Sequence, residues 1–189
     1  MNRSNQCGRG SDQGFTLVEM LIATVVVLVG LVAVAQLVPM SVMMDSNNRN
    51  DGTAMVFAQQ QMEALREQPL TNTTFTDPTG VTCPSSFSPC SLGDPMQPGV
   101  LVGSPVVVNA NSGLPMIDFS VSQETGYGFT YIDPNDPTGS MYDVRWAVAT
   151  VTNPARNNIV TGKRFMVGVF RRGMQTPTLP VTLDSMVER

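Results

Sequence analysis

The 189-residue sequence contains no histidine. That removes the commonest general base near neutral pH and the commonest metal ligand. Charge is also sparse. Eleven Lys and Arg face fifteen Asp and Glu, for a net charge of −4. A negative chain has no basic footprint for a polyanion, so no nucleic-acid partner is expected. No nucleophile motif and no EF-hand spacing are present, and no cofactor is expected. Only three cysteines occur, Cys7, Cys83 and Cys90. Mean hydropathy is close to zero, yet the apolar residues are unevenly spread. They concentrate between Phe15 and Met44, and the rest is polar and punctuated by Pro and Gly.

From Met20 to Met44 no residue is charged. A helix over that run is about 37 Å long at 1.5 Å per residue. A bilayer's hydrocarbon core is about 30 Å thick, so the run is long enough to span it. Gly30 leaves a small notch and Pro39 is a candidate kink. Glu19 stands at the mouth of this helix. A carboxylate there is costly, which makes it a functional candidate. Arg3 and Arg9 outweigh Asp12 before the run, whereas Asp45, Arg49 and Asp51 after it are mixed. The positive-inside rule then leaves the N-terminus cytoplasmic and sends the chain beyond residue 45 across the inner membrane.

Gly14-Phe15-Thr16-Leu17-Val18-Glu19-Met20-Leu21-Ile22-Ala23 resembles the prepilin cleavage and methylation motif, G-F-T-L-x-E. The motif is shared by type IV pilins, minor pilins and type II secretion pseudopilins. The resemblance implies a leader at 1–14, cut by prepilin peptidase between Gly14 and Phe15. It implies N-methylation of Phe15. It also implies that Glu19, the fifth mature residue, helps the subunit enter a filament by neutralising a neighbour's N-terminal amine. Other pilin subunits and an inner-membrane assembly platform are the implied partners. Electrostatics favours the same role, because pairing with an ammonium offsets part of the cost of a carboxylate in hydrocarbon.

With Cys7 in the leader, the exported part keeps Cys83 and Cys90, in a compartment where disulfides persist. A bridge between them closes a short loop worth roughly 2.5 kcal/mol in the chain-entropy model. A metal or redox pair is the competing reading. Two thiols without histidine and with six residues between them suit it poorly.

Ala54, Phe57, Ala58, Met62 and Leu65 recur at helical spacing, opposite Gln59, Gln60, Glu63 and Arg66. One long helix is expected over 15–68, softened near Pro39 and Gly52 and stopped by Pro69. Its first part, about 15–44, is the transmembrane or filament-core segment, where Met40, Met43 and Met44 suit adaptable packing between subunits. Residues 69–189 form a β-rich globular domain outside the cytoplasm. There, 71–98 reads as a long loop. Strands are expected over Val100–Val108, Ile117–Ser122 and Gly128–Ile132. A hairpin is expected from Tyr142–Thr150 and Arg164–Phe170 through Asn153–Asn158. In its first strand Tyr142, Val144, Trp146, Val148 and Thr150 alternate with Asp143, Arg145, Ala147 and Ala149, the pattern of a half-buried strand. The fold class is α+β, a long N-terminal helix packed on a small antiparallel sheet.

Asp133, Asn135, Asp136 and Asp143 offer oxygen atoms to calcium, but Asp and Asn beside Pro and Gly more often form turns. Lys163-Arg164 and Arg171-Arg172 read as solvated strand ends. The Tyr142–Trp146 and Lys163–Val167 stretches resemble the end of PilV-type minor pilins. The resemblance thus points to a minor pilin, a structural subunit and not an enzyme. A type II secretion pseudopilin, a filament-displayed adhesin or DNA-binding pilin, and a membrane-anchored domain that never polymerises are the alternatives.

Overall fold

A computed structural model describes residues 14–84, 88–110, 112–132, 139–173 and 180–188. The chain divides into two units, Met1–Ser46 and Asn47–Arg189. Of the expected leader only Gly14 lies among the described residues.

Helix α1 runs unbroken from Leu17 to Glu67, through both Pro39 and Gly52. Its residues from Leu17 to Asp45 are long and apolar enough to cross a membrane, and none of them is buried. The helix ends just before Pro69, whose ring disfavours a helical residue ahead of it, and Arg66 in the last turn faces the negative end of the helix dipole.

In the second unit the C-terminal part of α1 buries Ala54, Ala58, Met62 and Leu65. Gln59, Gln60, Glu63 and Arg66 face solvent. Phe57 meets Tyr131 at 4.5 Å and Tyr142 at 5.0 Å between ring centroids. The apolar stripe therefore lies on the front of an antiparallel sheet.

That sheet is built on a long hairpin, β7 (Met141–Asn153) and β8 (Ile159–Arg172). Their pairing runs from Met141↔Arg172 to Asn153↔Ile159, with a bulge between Val151 and Thr152. A short 3-10 turn, Pro154–Arg156, joins them, and Asn157 and Asn158 take the left-handed conformation at φ 53° and 55°. Asn is among the few non-glycine residues that tolerate this region. β9 (Val181–Glu188) lines the free side of β8. On the other side of β7, β6 (Gly128–Ile132) and β3 (Leu101–Gly103) pair with successive stretches of it. Two short pairs stand apart, β1 (Thr74–Phe75) with β2 (Cys90–Ser91) and β4 (Val106–Val108) with β5 (Pro115–Ile117).

The front-face core joins the helix stripe to Phe129, Tyr142, Val144, Trp146, Val148, Phe165, Val167 and Val169. Each large apolar side chain so buried contributes about 1.5–3 kcal/mol. Trp146 is fully buried and donates its indole N–H to the Ser91 carbonyl at 2.9 Å.

Several strand expectations change. Val100–Val108 is two strands of different sheets. They part at Gly103 (φ 114°), where a Cβ would lie 2.5 Å from the Tyr127 ring. Ile117 ends β5, and the Asp118 side chain turns the chain by accepting from the Ser120 N–H at 2.8 Å. The segment 71–98 is mostly irregular but contains β1 and β2. Strand β9 was not expected at all.

The largest correction concerns the back face of β7, which is not solvent. Ile117, Ala147 and Met166 form a second apolar cluster there, flanked by Val106 and Phe119. A Cβ on Gly168 would lie 2.7 Å from the Ile117 Cβ, so β8 needs glycine for this layer to close. Arg145 is fully buried. Its Nε and Nη2 donate to Asp143 at 3.0 and 2.8 Å, and its Nη1 donates to the Asp118 and Val121 carbonyls at 3.1 and 2.8 Å. Phe119 lies over the guanidinium, 5.0 Å from ring centroid to Cζ. The charges that mark a wet face in the sequence are instead a paired, covered cluster.

Candidate assembly and processing segment

The three residues before α1, Gly14, Phe15 and Thr16, are exposed and non-helical. Phe15 is 78% exposed. Thr16 is the N-cap. Its Oγ1 accepts the Glu19 backbone N–H at 3.2 Å, and its carbonyl accepts the first helical bond, from Met20, at 3.2 Å. A hydroxyl at this position satisfies one of the donors that every helix start leaves over. Glu19 sits in the first turn, where the helix dipole favours a negative charge. The structure thus brings Gly14, Phe15 and Glu19 into one short, open segment. Capping by Thr16 was not anticipated, although Thr-x-x-Glu before an apolar run is its ordinary sequence signature.

Beyond this point, as far as Asp45, α1 offers its apolar side chains to the surroundings on every side. Met40, Met43 and Met44 are each more than half exposed. A continuous apolar surface of this kind is stable in lipid or against other apolar helices, and costly in water.

Cys83 and Cys90 are joined by a disulfide with Cα atoms 6.0 Å apart. Beside the bridge, the Asp77 carboxylate accepts from the Thr79 hydroxyl at 2.7 Å and N–H at 2.8 Å, and from the Thr82 hydroxyl at 2.7 Å and N–H at 3.1 Å. Those bonds, from Thr82 first and then Thr79, hold its pKa well below the usual carboxylate range.

Other polar groups have structural occupations. Asp143, weighed for calcium, is gripped by Arg145 and by Arg172, whose Nε is 2.9 Å away. Asp133, Asn135 and Asp136 lie outside the described residues. Among the described residues no three His, Cys, Asp or Glu side chains gather as a metal site would need. Ser120 bonds lower the pKa of Asp118, and Asp184 raises that of Arg164 in an exposed ion pair.

The solvated-end reading of Lys163-Arg164 holds for Arg164 but not for its neighbour. Lys163 is 2% exposed and donates to the Asn72 carbonyl at 2.5 Å. Burial lowers its pKa to about 8. A shallow cleft beside Glu63, Arg66, Glu67 and Val187 has a charged rim and brings together no catalytic set.

Residues 9–35 match the family model described as the prokaryotic N-terminal methylation motif. No curated protein and no solved structure matches the chain. Within the match lie the open Gly14–Phe15 junction, the capped helix start and the apolar run as far as Ala35. The molecule is therefore an α+β protein whose exposed apolar helix is headed by a prokaryotic N-terminal methylation motif. That motif, with the apolar helix that carries it, fits membrane anchoring.

Proposed function

We propose that this chain is a minor-pilin-type structural subunit of a type IV pilus. It enters the inner membrane with its N-terminus in the cytoplasm. Prepilin peptidase removes residues 1–14, and Phe15 becomes the N-methylated first residue. The long helix then leaves the bilayer for a filament of pilin and minor-pilin subunits, and residues 69–189 stand on its surface. The observation that carries this reading is the coincidence of the methylation motif with an apolar helix that buries nothing from Leu17 to Asp45.

Glu19 has the central part. Cleavage creates an ammonium on Phe15, four residues before it and outside the helix. The amine that meets Glu19 belongs to a neighbouring subunit, and pairing there offsets part of the cost of placing both groups in hydrocarbon. The functional chemistry is thus binding and assembly, with no reaction catalysed by the chain itself.

Mass measurement of the mature N-terminus, combined with filament shearing, tests both halves. Wild-type chain is expected in sheared filaments with methylated Phe15 first. Glu19→Ala is expected to be cut as wild type and to fall at least about tenfold in the filaments, the equivalent of losing roughly 1.4 kcal/mol of assembly energy. A chain not cut before Phe15 in cells holding the peptidase would remove the reading altogether. Recovery in secretion pseudopili instead of pili would reassign the filament.

A further inference from the structure

The geometry points to Thr16 as a positioning residue for processing: its hydroxyl stops α1 from growing through the Gly14–Phe15 bond and so keeps that bond open to the peptidase. This rests on the functional reading above, in which that bond is cut.

One hydrogen decides where the helix begins. In an α-helix each N–H bonds to the carbonyl four residues back. Were α1 one residue longer at its start, the Glu19 N–H would belong to the Phe15 carbonyl. It is instead taken by Thr16 Oγ1, at 3.2 Å, while the Thr16 carbonyl, the first helical acceptor, accepts the Met20 N–H. The cap and helix growth compete for the same donor, and in the structure the cap holds it. Gly14, Phe15 and Thr16 accordingly lie outside the helix and exposed.

Surroundings strengthen the competition. The next element is an apolar run with strong hydrophobic helix formers at Leu17, Met20 and Leu21, which favours extension. Near a membrane, an N–H without a partner costs more than in water, so some acceptor must be found for Glu19. Upstream, the next side chains of capping type are Asp12 and Ser11. A helix started from either would draw Gly14 and Phe15 into its first turn. Gly14 resists this weakly by its own flexibility. Thr16 resists it directly. A peptidase must take the scissile segment in an open form, and cutting follows the population of that form.

A second consequence separates the roles of two neighbouring residues. Glu19 serves the cap through its backbone N–H alone, so Glu19→Ala leaves the cap in place. Thr16 is tied to cutting, and the Glu19 carboxylate to assembly.

The test uses the full-length chain in vesicles with prepilin peptidase, following the cut fraction by mass spectrometry. Thr16→Val keeps the size and removes the hydroxyl acceptor. Its cutting at sub-saturating chain is expected to slow by about fivefold, the population shift that loss of a cap produces. Thr16→Ser, Thr16→Asn and Thr16→Asp, all good caps of different shape, are expected to restore cutting to within about twofold of wild type. Cutting of Thr16→Val at the wild-type rate overturns the inference and leaves the functional reading intact. Rescue by Ser with failure of both Asn and Asp also overturns it, because the peptidase would then be reading the hydroxyl itself. A wild-type chain that stays uncut before Phe15 overturns both.

Discussion

The two units treat polar and apolar atoms in opposite ways. From Leu17 to Asp45 the helix satisfies its backbone internally and leaves its apolar side chains without protein partners. From Asn47 onward the sheet buries apolar groups on both faces and even draws Arg145, Asp143 and Lys163 inside. The first region is complete as a backbone and incomplete as a surface. The second is complete as a surface. A chain divided this way keeps its folding energy in the second unit and leaves the apolar surface of the first uncovered.

The sharpest way to break that contrast is to delete one side chain from each unit. Arg145→Ala leaves Asp143 buried with only the Arg172 guanidinium and the Gln123 amide, and it takes the guanidinium donor from the Asp118 and Val121 carbonyls. A loss of about 3–5 kcal/mol is expected in denaturant unfolding of the sheet, followed by Trp146 fluorescence. Val27→Ala also trims an apolar side chain, yet it should move that transition by less than about 0.5 kcal/mol, because Val27 is exposed and belongs to no core. Equal effects of the two would mean that the units do not store energy separately.

A smaller effect is expected from the bridge. Cys90→Ser should lower the stability of the sheet-bearing unit by about 2.5 kcal/mol, from the entropy regained by the unfolded chain. The native arrangement should survive, because the same segment is held elsewhere. Leu92 bonds to the Thr73 carbonyl, Ser91 to that of Gly126, and Trp146 to Ser91 itself. Loss of the Trp146 fluorescence signature in the folded variant would show that the bridge, not these bonds, positions the segment.

The mildest probe is pH. Lys163 has its folded pKa lowered by burial from 10.5 to about 8. Between those two values the unfolded chain binds a proton that the folded chain does not. Stability therefore rises with pH across that window and carries the full penalty below it. Wild type should show this rise in denaturation midpoint between about pH 8 and 10.5, and Lys163→Met should not. A parallel rise in both proteins would assign it to another group.

Legibility differed between the units for the same reason. The helix and its junction are local, since periodicity, absence of charge and the Gly-Phe-Thr-Leu-Val-Glu order all lie along the chain. The β7–β8 hairpin and β6 were readable because alternation and turn residues are local as well. What escaped depends on contacts far apart in sequence. Asp143 and Arg145 look like a wet face until 117–123 folds over them, and no period announces a cover of that kind. Strand β9 has alternating Val181, Leu183 and Val187, but Ser185 interrupts the pattern, and its partner β8 supplies most of the reason for it to be a strand. Lys163 sits beside an arginine that is solvated, and only the Asn72 carbonyl across the fold explains why it is not.

Lys163 is also the only lysine in the sequence. Because it is buried, the folded chain presents no side-chain primary amine to reagents in solution. An amine-reactive label applied to the native protein therefore reports on the chain's first residue alone. In this molecule, acylation chemistry becomes a direct reading of which residue comes first.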